Sequence, residues 1–345
     1  MTGRRSKMVG FGELMLRLNP PGHERIVQAS EFEVRYTGGE ANVAVMLAGL
    51  GFDTYAVSRV PGHELGQACI NYLRRFGVNT DHVARGGDHL GIMYLETGAA
   101  QRGSKVIYDR DHTSIRGATP ADFDWHAILE NADWFHFSGT APALGENVRA
   151  VLRDGLSVAQ QLGVTVSCDL NYRAKLWGTE EARRVMTGLM PFVDVLVGNE
   201  EDVAKVFGIT AEGSDVIRGD LEVPSYQKVA EQVAATFGFR YVATTLRTSI
   251  SASINRWAGM LYDGKRHYVS RSYEIHPIVD RVGGGDSFTA GLIFGLVQGF
   301  DLQACVDFAT AASCLKQSIP GDFNLVTIDE VEALLAGDES GRVQR

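Results

Sequence analysis

The chain is poor in cysteine and positive charge, and it lacks any long apolar run. Its four cysteines, Cys69, Cys168, Cys305 and Cys314, lie far apart in 345 residues and form no C-x-x-C pair. Buried thiols in a reducing cytoplasm are the reading that fits. No uninterrupted apolar stretch approaches the ~18 residues of a membrane span, and Arg4-Arg5 is followed by neither a sustained apolar region nor a small-residue cleavage site. A cytoplasmic protein with no membrane partner is therefore expected. Acidic residues outnumber basic ones, 42 to 33, for a net charge of −9. That balance speaks against general nucleic-acid binding and requires any basic site for an acidic ligand to be local.

Several familiar chemistries are missing too. There is no H-E-x-x-H, the nine histidines have no zinc-ligand spacing, and no G-x-S-x-G nucleophile elbow occurs. Gly10-Phe11-Gly12 is followed by Met15 where a dinucleotide fingerprint needs its third glycine. Gly259 to Lys265 meets the G-x-x-x-x-G-K part of a P-loop, but Arg266 stands where Ser or Thr binds magnesium. Asp263-Gly264 between Met260-Leu261-Tyr262 and His267-Tyr268-Val269 reads better as a hairpin turn.

What is present is a globular composition, 45% hydrophobic and 22% charged, and a regular order of elements. A strand is expected near Lys7 to Glu13 and a helix over 40–51, where Val43, Met46, Leu47 and Leu50 share one face. From about residue 130 strands and helices alternate: Ala132 to Ser138, Gly145 to Leu162, Val164 to Asp169, Thr179 to Met190, Val193 to Gly198, then a helix near Tyr226 to Phe237 and a strand near Tyr241 to Leu246. Such alternation predicts an α/β fold, a doubly wound, mainly parallel sheet flanked by helices, with ligands at the carboxyl ends of the strands. Segments near 14–36 and 90–110 break the pattern, being polar and extended, and are expected to form a small β-sheet lid on a single domain spanning 1–345. The exposed edges of such a lid offer a route to a homo-oligomer, and the acidic tail after about residue 336 is expected to fray.

Two glycine clusters carry the chemistry. Asp280-Arg281-Val282-Gly283-Gly284-Gly285-Asp286 places three glycines and a carboxylate where an extended segment meets an apolar helix. Glycine lets backbone N–H groups converge, and a helix N-terminus adds free donors and positive potential, so the turn suits a phosphate, with Asp286 able to take a proton. An ordinary glycine turn followed by an acidic first-turn residue accounts for the same letters. Earlier, Gly38-Gly39 precedes a helix with Asn42 in its first turn; the glycines let a small polyol approach the backbone and Asn42 offers donor and acceptor to hydroxyls.

Together the two clusters, about 240 residues apart, resemble the paired signatures of the ribokinase-like (PfkB) carbohydrate kinases over essentially the whole chain. Gly284 and Arg281 depart from the commoner alanine and threonine. The strings Gly12 to Leu18, Asp169 to Trp177 and Thr245 to Ser253 resemble the branch acting on 2-keto-3-deoxygluconate. The resemblance implies a ribokinase-like fold, ATP and Mg²⁺, and Asp286 as general base with Gly283, Gly284 and Gly285 as anion hole. It implies a sugar-acid site of Gly38, Gly39, Asn42, Tyr94, Tyr108, Arg110, Asn171 and Arg173, and a nucleotide site of Asn199, Thr245, Arg247, Ser249, Gly283 and Gly285. Lys175 joins Asn171 and Arg173 on the ligand side. Asp202 closes the family's N-x-x-E motif with a shorter side chain and is expected to reach magnesium only through water, while Asn199 equally reads as a helix cap. Arg247 replaces the family's usual glycine. A fructokinase-like kinase of the same family, and a non-catalytic sugar-binding regulator on the same fold, stay open at this point.

Overall fold

A computed structural model describes residues 4–210 and 223–338. The end of the tail, residues 339–345, lies outside the described residues. In chain order the strands are β1 (Lys7–Phe11), β2 (Met15–Asn19), β3 (Glu33–Thr37), β4 (Asp53–Val60), β5 (Val83–Arg85), β6 (Gly91–Glu96), β7 (Lys105–Asp109), β8 (Trp134–Ser138), β9 (Thr165–Asp169), β10 (Val195–Val197), β11 (Tyr241–Ser249), β12 (Asn255–Tyr262), β13 (His267–Val269) and β14 (Tyr273–Ile275). The helices are α1 (Gly39–Gly49), α2 (Glu64–Arg75), α3 (Trp125–Leu129), α4 (Glu146–Leu162), α5 (Thr179–Thr187), α6 (Glu200–Phe207), α7 (Val223–Phe237), α8 (Gly284–Gln298), α9 (Leu302–Lys316) and α10 (Ile328–Leu335).

Among the described residues, a ten-stranded sheet runs β13-β12-β11-β10-β9-β8-β1-β4-β5, with β14 also paired to β12. From β11 to β5 all neighbours are parallel; β12 is antiparallel to β11, β13 and β14. The parallel strands are apolar at almost every position because both faces are covered. Along β1, Val9 and Phe11 enter one core with α3, α4, α5 and α7, while Met8 points into the other, under α1, α2, α8, α9 and α10. Among the buried polar residues of these strands, His136 on β8 shares the hydroxyl of Ser167 on β9 with Trp134 Nε1, each at 2.8 Å.

The alternation begins earlier than residue 130, since β4 and β5, joined through α2, already belong to the large sheet. The lid strands interleaved with them in the chain hide that unit from a linear reading. The lid itself is a second sheet, β3-β2-β6-β7, made from the two segments that broke the pattern. Gly259 to Arg266 forms the β12–β13 hairpin, with Asp263 Oδ1 accepting from Lys265 N at 2.8 Å and Arg266 N at 2.7 Å.

A buried ion network fastens lid to core. Arg17 on β2 is 2% exposed and donates to Asp322, Asp280 and Asn19, while Thr37 on β3 donates to Asp322. A buried guanidinium is tolerated only with such compensation. The lid also takes a hydrogen bond from Lys175 Nζ to Val106 O, 3.1 Å, and one from Ala252 N to Ala100 O, 2.8 Å.

Candidate active site

The parallel strands all end on one side, and their carboxyl ends together with the lid enclose an open cleft of about 1530 Å³. Its floor includes Asp169 at the end of β9, Asn171 and Arg173 just beyond, Asn199 after β10, Thr245 and Ser249 on β11, and residues 283–286 at the start of α8. Two glycines of that turn serve different ends. Gly283 caps α8 in the left-handed region at φ 81°, and a Cβ there would meet Asp322 O at 2.1 Å. A Cβ on Gly285 would meet nothing within 4 Å; it would enter the cleft. Among the described residues the amides of Gly285 and Asp286 have no hydrogen-bond partner, so they are free for an anion at the helix N-terminus.

The turn is held from behind. Asp280 accepts from Val282 N and Gly321 N, both at 3.0 Å, besides Arg17. Lys316, fully buried, donates to Asp280 O at 3.0 Å and Ile319 O at 3.3 Å. Burial pushes the Lys316 ammonium down to about 8.

Asp286 is the third residue of α8 and accepts from Asn42 Nδ2 at 2.6 Å. Burial pushes its carboxyl up to about 6, against the opposing pull of Asn42, Arg173 and Lys316. Gly39 lies beneath it: a Cβ there would face Asp286 Oδ1 at 3.6 Å and Asn171 Nδ2 at 3.9 Å. Asn171 takes a positive φ of 38°, a conformation asparagine tolerates better than most residues. Gly38 stands apart, its missing Cβ leaving room for Glu13 O at 2.4 Å, so its part is in the backbone turn.

Three further carboxylates crowd the same place. Glu40 is buried, accepts from Ser138 N at 2.8 Å and Ser138 Oγ at 2.6 Å, and is pushed up to about 7 mainly by burial. Asp169 is raised well above the usual carboxylate range by burial, then by Asp286 and Asp202. Asp202 is pushed up to about 6 by burial, with Arg173 pulling it down.

The expected sugar residues are not all brought together. Tyr108 and Arg110 line the cleft with Arg173, and the Arg110 guanidinium carbon lies 5.1 Å from the Tyr108 ring centre. Arg110 follows β7 rather than ending it, and its charge is committed: Nε donates to buried Glu13 at 2.7 Å and Nη2 contacts the same oxygen. It is thus not the free cation expected for a sugar acid. Tyr94 does not line the cleft; side chains alternate along β6, Met93 opposite Tyr108 faces the cleft, and Tyr94 packs edge-on to Phe32 at 6.1 Å. Arg173 makes only a hydrogen bond to Tyr172 O, 3.1 Å, among the described residues, with no ion pair.

Asp202 and Arg247 line the same cleft as Asn199, Thr245 and Ser249. Asn199 caps α6, its Oδ1 accepting from Asp202 N at 2.8 Å. Among the described residues, no three His, Cys, Asp or Glu side chains are grouped to hold a metal ion alone. Asp169 and Asp202, each raised by burial and facing the cleft, fit a hard cation that is otherwise coordinated by phosphate oxygens and water.

These shifts set a pH prediction. In the unfolded chain the four carboxyls titrate near about 4, so as pH falls from about 8 toward about 6.5 the folded state binds protons that the unfolded carboxyls do not, at Glu40 first and at Asp286 and Asp202 less, with raised Asp169 acting in the same sense. The ligand-free protein is therefore expected to melt at a higher temperature at about pH 6.5 than at about pH 8. Buried neutral His136, pushed down to about 3, and Lys316, held down to about 8, act in the opposite sense within the same window, and the four carboxyls outweigh them. A flat or inverted melting profile over the window would contradict the buried acid cluster.

Sequence reasoning missed Glu40, Glu13, Ser138 and Lys316. Glu40 had a signal, a lone acid amid apolar residues of α1, and Glu13 lies within the Gly12 to Leu18 string; Ser138 and Lys316 carried none.

Comparison with known proteins places these residues in context. A sequence model described as pfkB family carbohydrate kinase matches residues 5–324. A crystal structure of 2-dehydro-3-deoxygluconokinase from Thermotoga maritima is 52% identical, with a TM-score of 0.93 over 98% of this chain and 100% of that one. A 2-dehydro-3-deoxygalactonokinase from Haloferax volcanii is 34% identical over 97% of this chain and 98% of its own length. A putative 2-keto-3-deoxygluconate kinase from Enterococcus faecalis, 26% identical, has a TM-score of 0.89 over 99% of each chain.

Proposed function

The chain belongs to the pfkB family of carbohydrate kinases, and from that premise we propose that it transfers the γ-phosphoryl group of ATP to the terminal primary hydroxyl of 2-keto-3-deoxygluconate. The product is 2-keto-3-deoxy-6-phosphogluconate. The observation that carries the reading is Asp286 at an open helix N-terminus, oriented by Asn42 at 2.6 Å. Asp286 accepts the hydroxyl proton as that oxygen bonds to the γ-phosphorus and the bond to the ADP oxygen breaks in line. A carboxyl pushed up to about 6 is ionised at neutral pH yet basic enough to take that proton. The Gly285 and Asp286 amides stabilise the charge on the transferred group. Magnesium, when bound with ATP, neutralises phosphate charge; Asp169 and Asp202 are the residues that would hold it, through water.

The sugar acid is supported by the similar proteins named above and by Arg173, a cleft arginine that forms no ion pair among the described residues. The Arg110–Glu13 pair favours instead a neutral sugar under the lid, as in a fructokinase. A substrate panel decides. With ATP and magnesium, kcat/KM for 2-keto-3-deoxygluconate is expected to exceed that for fructose, and Arg173→Ala to raise KM for the acid by about 10-fold or more, the cost of one charge-assisted bond. Fructose turned over as well as the acid would sink the substrate while leaving the kinase. The epimeric 2-keto-3-deoxygalactonate belongs in the same panel.

A further inference from the structure

Arginines in this protein are generally paired with acids when they are buried. Arg17 has Asp280 and Asp322, Arg110 has Glu13, and Arg149 has Glu181 at 2.6 Å. Four arginines that line the cleft, Arg116, Arg173, Arg247 and Arg281, are not fully buried and form no ion pair among the described residues. Arg281 sits two residues before the Gly283 cap, half-buried, with Nη2 donating to Ser251 O at 3.1 Å and Ala252 O at 2.8 Å. That fixes the guanidinium by one nitrogen and leaves Nε and Nη1 uncommitted. Its sequence neighbour Asp280 lends it a favourable charge but no ion pair, its oxygens accepting from Val282 N, Gly321 N and Arg17. Arg247 on β11 lines the same cleft, exposed, its side chain making no hydrogen bond or ion pair to any described residue. Burial and then the charge of Arg247 hold Arg281 below its ordinary range, which marks the two as electrostatic neighbours. Both side chains line the one cleft, and two like charges opposed there by Asp280 are relieved by an anionic ligand.

We propose that Arg247 and Arg281 form a two-guanidinium clamp for the polyphosphate of the nucleotide, taking the phosphates that precede the one held by the Gly285 and Asp286 amides. The proposal rests on the nucleotide reading above and adds to it a part for Arg281 and a division of labour. The amides meet the group that moves; the planar guanidinium forks, suited to bidentate phosphate contact, meet the groups that stay. ADP should thus remain gripped after transfer, whereas AMP has too few phosphates to use the clamp.

The test is calorimetric binding of ATP, ADP and AMP with magnesium to wild type, Arg247→Ala and Arg281→Ala, together with melting temperatures with and without pyrophosphate. Each variant is expected to weaken ADP by about 10-fold and leave AMP within about two-fold. Ligand-free Arg247→Ala should melt at or above the wild-type temperature, since it loses a repulsion, and should no longer gain stability from pyrophosphate. Because Arg281 also ties down two carbonyls, Arg247→Ala carries the test should Arg281→Ala fail to fold. Unchanged ADP affinity in Arg247→Ala, equal losses for ADP and AMP, or a clearly lower ligand-free melting temperature would each overturn the clamp. Wild type blind to ATP and ADP but stabilised by pyrophosphate through both arginines would overturn the nucleotide reading and leave the clamp standing.

Discussion

Asp286→Asn is expected to lower kcat by roughly 10²–10⁴, the contribution of a positioned base, with ATP affinity changed only a few-fold. The substitution is nearly isosteric, and the new amide oxygen can still accept the Asn42 hydrogen bond now made at 2.6 Å, so geometry survives while basicity is lost. Folding should not suffer. The carboxyl it replaces sits near Glu40 and Asp169, raises both, and is itself pushed up by burial; removing that charge relieves repulsion. The check is single-turnover kinetics beside a melting curve. Near-normal turnover would remove Asp286 from the role of base, and a collapsed melting temperature would mean that the carboxylate serves structure instead.

Gly285→Val is expected to abolish turnover while far-UV circular dichroism and melting temperature stay close to wild type. No protein atom lies within 4 Å of a Cβ at this position, and its φ is not in the left-handed region, so the folded protein has room for the side chain. The space it fills is the cleft in front of the Gly285 and Asp286 amides, where an anion must approach. Gly283 is the contrasting case. At φ 81° and with Asp322 O at 2.1 Å from a Cβ, its substitution strains the backbone and displaces the turn, so inactivity there would carry no information about the anion. Retained activity in Gly285→Val would reduce the turn to an ordinary helix start.

Much of this site was legible in the sequence because its signals are local. A run of three glycines before an apolar helix, and Asn42 four residues into a Gly-Gly turn, specify backbone geometry directly. The βα alternation beyond residue 130 likewise follows from helical spacing and continuous apolar strands. The position of Tyr94 outside the cleft and the pairing of Arg110 within it are not legible in the sequence for the same physical reason: both depend on partners far away in the chain. The face of β6 is decided by Phe32 against Tyr94, and the charge of Arg110 by Glu13, 97 residues earlier. Lys316 carried no signal at all, since a lysine at the end of a helix is ordinarily solvated; only the packing of α9 behind the Asp280 turn reveals a buried ammonium holding that turn's carbonyl. Acids such as Glu40 and Asp169 could be seen as letters, but their shifted protonation arises from assembly in one place.

The most direct measurement is ³¹P NMR of the mixture after wild-type protein has acted on ATP, magnesium and 2-keto-3-deoxygluconate. Transfer to a terminal primary hydroxyl predicts ADP and a phosphomonoester in equal amounts, the ester signal split into a triplet by the two protons of the adjacent methylene carbon. ATP left intact, ADP accompanied only by inorganic phosphate, or an ester signal split as a doublet by a single proton would contradict the account.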